Sequence, residues 1–533
     1  MWNRGLINLT GIFVVVFLLS SCSPPRNPST ANSNDDTSVG GGRNGAGDDN
    51  NSDNFVVPVL NDLVITATDL ESITLQQPTF SVAGDPIPTV YAYIGFDEAI
   101  SVSDCDVRGA LGDPVDVSLV GHQFTSLSQN AVYRIIVVAQ NSEGCSVKEI
   151  AQSTSDEVIS FSDPNLEQAI RLAISKPEGN IYQNDLLPLT MLLAQSSGIV
   201  DLTGLEHCTS LTYVCFNHNR IVDVHPLAGL MGLTGLGLDD NQIIDISPLA
   251  GLTSLIDLSL NSNRIVDVSY LNGLNGLTTL YLNDNLVVDI SDLSGLVNLT
   301  SLGLTNNQID DIIALADLDS LMYLQLAGNY ITDISALANL DHLISLDLND
   351  NEITDVSVLA NFNDLTYLFL RNNNIEDISY LADLTKLTHL DLPGNEITDI
   401  SFLANLNRLT DLELGANHIE DISYLAGLTS LTSLDIGGND IIIIGSLVGL
   451  TNLTYLSVAY NNIVNISSLA GLTNLTTLYL DYNHIVNIDA LITNHEAHGL
   501  GTGDTVGLTH NSLDSAAVTN AQHLRSAGVT INW

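Results

Sequence analysis

Carboxylates are the first chemistry this chain offers. Aspartate fills one slot ten times running, from Asp223 to Asp421 in steps of 22 residues. If successive segments stack as neighbouring strands, these carboxylates lie about 5 Å apart. Their repulsion is then about 0.8 kcal/mol per neighbour in water, and a few times more near a protein surface. Calcium favours such oxygen clusters. Asp333, Asp355, Asp377 and Asp399, the sixth to ninth of the series, are the residues that would hold it. Each aspartate can instead accept backbone N–H bonds from the following turn, and that structural role is the expected one. His495-Glu496-Ala497-His498, with His484 and His510 nearby, matches no metal-ligand spacing. There is no G-x-S-x-G, P-loop, H-E-x-x-H or zinc-type cysteine pair. The expectation is therefore no cofactor and no enzymatic activity.

A stricter period must position these groups. Asparagine occupies thirteen slots 22 residues apart, from Asn219 to Asn483. Around each reads LxxLxLxxNxI, with occasional Val, Ile or Phe in the apolar slots. A fixed period in this range marks a repeat solenoid. Residues three, five and eight before the Asn, and two after it, should point inward, as Leu324, Leu326 and Ile331 do in one layer. The Asn should bond the backbone of the turn where strand bonds stop. The following Ser reads as the cap of a short helical or 3₁₀ segment.

The unit NxIxDISxLaxL resembles the bacterial leucine-rich repeats of internalin-like surface proteins, from about residue 161 to the C-terminus. The resemblance implies a horseshoe or arc, with parallel β-strands on the concave face and short 3₁₀ or irregular segments on the convex face. Strand spacing gives an arc of roughly 65 Å. Repeats span 189–511. A helical N-terminal cap is expected over 156–188, where Asp163 and Pro164 open a helix that would bury Leu166, Ala169, Ile170, Ala173 and Ile174. Ser197 holds the Asn slot of a degenerate first repeat, and 512–533 reads as the closing cap. Ile441 to Gly445 loses both Asp and Ser, and the repeat at Asn483 is six residues longer, so the next Asn is Asn511. Cys208 takes a Leu slot in the core, whereas Cys215 should face outward, so no bridge between them is expected.

Alternation along each strand turns the residues two, four and six before each Asn onto the concave face. These include Tyr281, Tyr323, Gln325, Asp347, Tyr367, Phe369, Arg371, His389, Asp391, Asp411, Glu413 and Asp435, the last three forming an acidic strip. Exposed aromatics and Arg beside acids are what protein-binding patches favour. Any solenoid must also put something on that face, and Tyr is at home in strands.

The ends of the chain speak to location. Leu6 to Leu19 form an apolar run after a positive start, too short for a comfortable membrane span. Leu19-Ser20-Ser21-Cys22 follows and resembles a bacterial lipobox, implying a signal peptide over 1–21 and a lipid on Cys22. Residues 22–54, rich in Asn, Ser, Asp and Gly, cannot bury enough surface to order themselves and read as a tether. Short apolar or alternating runs over 55–152 read as a β-sandwich. Leu127 to Asn141, followed by Gly144, resembles the late strands of a fibronectin type III domain, with Tyr133 in the tyrosine corner. Cys105 and Cys145 lie in this region; export makes a disulfide between them chemically accessible, but the resemblance does not require one, and two separate thiols are the expected state.

A balance of 14 Lys+Arg against 62 Asp+Glu gives a formal charge of −48. Phosphate backbones would be repelled, which excludes nucleic acid as a partner. The expectation is a lipid-anchored, exported envelope protein, facing the surface or periplasm, that recognises a protein or glycan through its concave face. Membrane contact would come through the lipid alone. The alternative is a structural envelope or matrix protein whose repeats self-associate, with or without calcium.

Overall fold

The computed structural model describes residues 158–533 in full and, ahead of them, the backbone of strands between Val59 and Ser153. The expected signal peptide, Cys22 lipid site, tether, Tyr133 corner and sandwich packing lie outside the described residues, as does the open choice between a Cys105–Cys145 bridge and two separate thiols. The backbone there forms antiparallel sheets. Thr89–Phe96, Val132–Asn141 and Gly144–Ser153 run side by side with Val115–Asp116, and Ile65–Asp69, Ser72–Leu75 and Gln123–Phe124 form a second group.

The repeats build one parallel sheet of 16 strands, from Met191–Leu193 to Thr530–Asn532, in sequence order. Each strand is three residues long, and through Thr477–Tyr479 every residue pairs with the one 22 positions on, as Leu324 does with Leu346. Between strands the chain turns through short 3₁₀ segments such as Ser335–Leu337. Leu, Ile and Val at the inward slots are sealed: Leu326, Ile331, Leu337, Leu340 and Leu343 are fully buried. Phe362 replaces Leu in one such slot and is equally buried. Removing each side chain from water contributes about 1.5–3 kcal/mol, and the cores of neighbouring repeats merge into one column.

The buried asparagines join repeat to repeat. Asn329 donates through Nδ2 to the Leu304 carbonyl of the preceding repeat at 3.0 Å and to Leu326 of its own at 3.0 Å. The same bonds recur at Asn351 and Asn373. Ser197, in the Asn slot of the first repeat, is served by Asn219, which accepts the Ser197 and Ile199 amides.

At the N-terminal side, helix Pro164–Ala173 is capped by Asp163. One Asp163 oxygen accepts from Asn165 and Leu166, the other from Val200 and Asp201. Burial works to raise the Asp163 pKa, but these four amides together hold it below its ordinary value. Leu166 and Ile170 are buried, while Ala173, expected on the same face, is exposed at the helix end. At the other end the six extra residues are absorbed by helix Asp489–Glu496, which replaces a 3₁₀ turn. Asn511 restores the pattern by accepting the Ile485 amide at 3.0 Å. Helix Ser515–Ser526 then leads into the last strand, where Arg525 lies 3.9 Å over the Trp533 ring.

Candidate functional site on the strand face

Short parallel strands fix where each outward side chain stands. The central residue of a triplet enters the core and the two flanking ones face out. Tyr323 and Gln325, Tyr367 and Phe369, His389 and Asp391, and Asp411 and Glu413 all flank a buried Leu and are half-buried themselves. Asp347 and Asp435 hold the same position in their strands, and Arg371 is exposed just beyond its own.

Tyr281 is the exception. It was expected on the open face but is only 8% exposed. Its register partner in the next strand is Gly303, where an added Cβ would come within 2.6 Å of the Tyr281 ring. The missing side chain lets the ring lie down over the glycine. Tyr281 is therefore part of the packed surface rather than an open contact residue. Cys215 departs likewise: it was expected to face outward and is fully buried, while Cys208 is a buried free thiol in its Leu slot.

Three consecutive strands bring Tyr367, Arg371, His389, Asp391, Asp411 and Glu413 into contact, while Tyr323, Gln325, Asp347 and Asp435 stand on the strands to either side. The Tyr367 and His389 rings stack with centroids 4.7 Å apart. His389 Nε2 lies 3.2 Å from the Asp411 carboxylate in the following strand. Arg371 reaches across two strands, its Nη2 2.6 Å from Glu413, while its Nε lies 3.5 Å from Asp391 in between. The register sets Phe369 between Asp347 and Asp391. Burial pushes the Asp347 carboxyl up to about 6 and the Asp391 carboxyl up to about 7. Arg371 works against the Asp391 shift, but Glu413 and Asp347 add negative charge beside it. Asp391 Oδ1 is buried without a hydrogen-bond partner. Burial also raises Asp435, against an amide bond from Gly437. The result is a preformed patch of stacked rings, one bridging cation and carboxylates held out of water.

A second ladder on this face escaped the sequence pattern as a structural device. Asn217, Asp239, Asn261 and Asn283 stand two residues before successive repeat asparagines. The side-chain oxygen of each accepts the amide of its counterpart one repeat on, at 2.7–3.0 Å, ending on Thr305. The recurrence of Asn and Asp at this slot is the signal that identifies it. These side chains extend the sheet's hydrogen bonding and so are already engaged.

The aspartate series turns inward on its own repeat. Asp333, Asp355, Asp377 and Asp399 each accept the amide of the Ser two residues on, at 2.8–2.9 Å. Bonds from that amide and then from the Ser hydroxyl hold Asp245, Asp289 and Asp333 below the usual carboxylate range. Asn465 takes the same part toward Ser467. Among the described residues no three His, Cys, Asp or Glu side chains are grouped as a metal site. His495 instead binds the Leu500 carbonyl through Nδ1 at 2.6 Å. No helix among the described residues is long and apolar enough to cross a membrane.

Comparison with known proteins agrees with this geometry. The family model described as leucine-rich repeats (2 copies) matches residues 275–320, 319–361, 363–405, 385–427 and 451–493, and a single leucine-rich repeat matches 427–442. No curated protein sequence matches the chain. Among solved structures, a leucine-rich-repeat protein of Leptospira interrogans is 19% identical, with a TM-score of 0.58 over 66% of this chain and 97% of that one. The functional domain of InlJ from Listeria monocytogenes is 23% identical, with a TM-score of 0.56 over 66% of this chain and 83% of that one. Both of these show the fold alone. The internalin InlF of Listeria monocytogenes is 36% identical, with a TM-score of 0.54 over 63% of this chain and 93% of that one. With that identity across nearly the whole of an internalin, and leucine-rich repeats matched between residues 275 and 493, the chain belongs to the internalin-like leucine-rich-repeat proteins.

Proposed function

We propose that this chain is a lipid-anchored bacterial surface protein that binds a protein partner across the strand face of its repeats. Its work is recognition, not catalysis. The observation that carries this reading is the patch on three consecutive strands, where Tyr367 stacks on His389 and Arg371 bridges Asp391 and Glu413. Rigid strands preorganise these groups, which lowers the ordering cost of binding. Aromatic and Arg anchors at the centre of such a patch carry most of the energy of an interface. Helix Pro164–Ala173 serves as the cap of the array at one end and Ser515–Ser526 at the other. The lipid on Cys22, the tether and the fibronectin type III-like unit would hold the repeats clear of the membrane.

The test is affinity capture from bacterial and host surface proteins with the full chain as bait. A bound protein should be lost at least about tenfold when Tyr367 and Phe369 are both changed to Ala, since truncating a central anchor costs over ~2 kcal/mol. Replacing Asp333 and Asp355 on the turn side should leave capture unchanged. Equal capture by the double variant and the wild type would exclude this patch as the site.

A further inference from the structure

A second exposed surface lies off the strand face, at the residue immediately before each repeat asparagine. The backbone there is left-handed in repeat after repeat, and glycine fills the slot at Gly328, Gly394 and Gly438. In most other repeats short polar residues fill it, some pairing across repeats as Asn306 does with Asp284 and Asn372 with Asp350, while His218 and Ala416 hold it in two more. The last three repeats place large rings in this slot. Tyr460, Tyr482 and His510 have φ of 56°, 54° and 58°. A bulky side chain in this region is a backbone outlier, and such strain collects at functional sites.

The three rings form one stack. Tyr460 and Tyr482 have centroids 4.2 Å apart and planes 11° from parallel, and Tyr482 and His510 have centroids 3.9 Å apart and planes 9° from parallel. Tyr482 is covered on both faces and Tyr460 on one. The other Tyr460 face looks toward the Gly438 repeat, where no side chain continues the column, and the residue stays 56% exposed.

We propose that this open Tyr460 face docks an arginine side chain of a protein partner. A planar guanidinium extends a column of parallel rings and is attracted to the electron-rich face of Tyr. The surroundings are one-signed. Between Arg408 and Arg525 there is no Lys or Arg, against eleven Asp and Glu, and the Gly438 repeat itself carries Asp435 and Asp440. Such a field repels anionic ligands and draws cations toward the ring. The site is separate from the Tyr367–Glu413 patch, and the proposal stands or falls independently of it.

The test uses the full chain and an amidated tetra-arginine peptide, with binding followed by titration and by the ring signals of labelled tyrosines. Tyr460→Asn keeps the net charge and places a residue already accommodated in this slot at Asn306 and Asn372. It should weaken binding about fivefold, the scale of an exposed cation–π contact. Gly438→Asn, which fills the vacancy and leaves Tyr460 in place, should do the same. Tyr330→Asn, at a tyrosine that is 57% exposed outside the stack, should bind as the wild type does. Unchanged thermal melting of each variant confirms the fold. Wild-type affinity in Tyr460→Asn, or an equal loss in Tyr330→Asn, would overturn the proposal. So would a neutral maltotetraose that shifts the Tyr460 signals where tetra-arginine does not, which would make the stack a glycan site.

Discussion

Asn329 and Ile309 belong to adjacent repeats and share a buried hydrogen bond, with the Asn329 Oδ1 accepting the Ile309 amide at 3.0 Å. The other end of the same amide group donates back to Leu304. One side chain thus closes the backbone of two turns that no strand bond reaches.

Asn329→Ala should be costly for its size. It strands the Ile309 amide where water cannot easily replace the partner, while the Leu304 and Leu326 carbonyls each keep one bond, from Asn307 and Asn351. Leaving a buried donor unpaired costs about 1–3 kcal/mol, and a loss in that range is expected. Hydrogen exchange should accelerate first at Ile309. Wild-type protection there would show that the bond is dispensable.

Leu326→Ala removes a fully buried side chain from a middle layer. The cavity should cost about 2–5 kcal/mol. Each repeat contacts only its neighbours, so the loss should appear as local unfolding around Asn329 before the ends of the array melt. A denaturation curve superimposable on the wild type is the outcome that contradicts this.

Asp391 and Asp347 give the array a pH dependence of definite sign. Their folded-state pKa values of about 7 and about 6 lie above the ordinary 3.8. The folded chain therefore holds these protons more tightly than the unfolded chain does. Their stabilising contribution is complete below about pH 4 and is lost as pH rises through about 6 to 7. Asp391→Asn should flatten this part of the stability profile and raise the melting temperature at neutral pH. A profile identical to the wild type between pH 4 and 8 would refute the assignment.

Cys22→Ala should move the protein from the membrane fraction to the soluble one and remove the mass of the lipid. Full membrane retention with an unaltered mass would rule out lipidation at this residue.

The backbone plan was legible because one spacing governs it. The 22-residue period placed the strands, the core and the buried asparagines without tertiary information. Surface contacts were less legible, since they depend on what the neighbouring strand lacks. Nothing near Tyr281 in sequence says that Gly303 will let its ring lie flat. Arg371 was read as part of the patch, but its bond to Glu413 skips a strand, and only side-chain length decides that. The Tyr460–Tyr482–His510 stack was missed for a different reason. It lies in the slot next to the Asn, outside the alternation that marks the strand face, and the longer last repeat puts His510 out of step.

The unbroken register makes this array a ruler with identical graduations. Excising one 22-residue unit, for instance 372–393, would set Asn395 in the slot that Asn373 vacates and bring the next strand into register. The hydrophobic column would close over the cut. The surface would not survive so easily, since Arg371 would find Glu413 one strand away and His389 gone. Length is thus freely adjustable in such a protein, whereas the order of its outward residues is the message it carries.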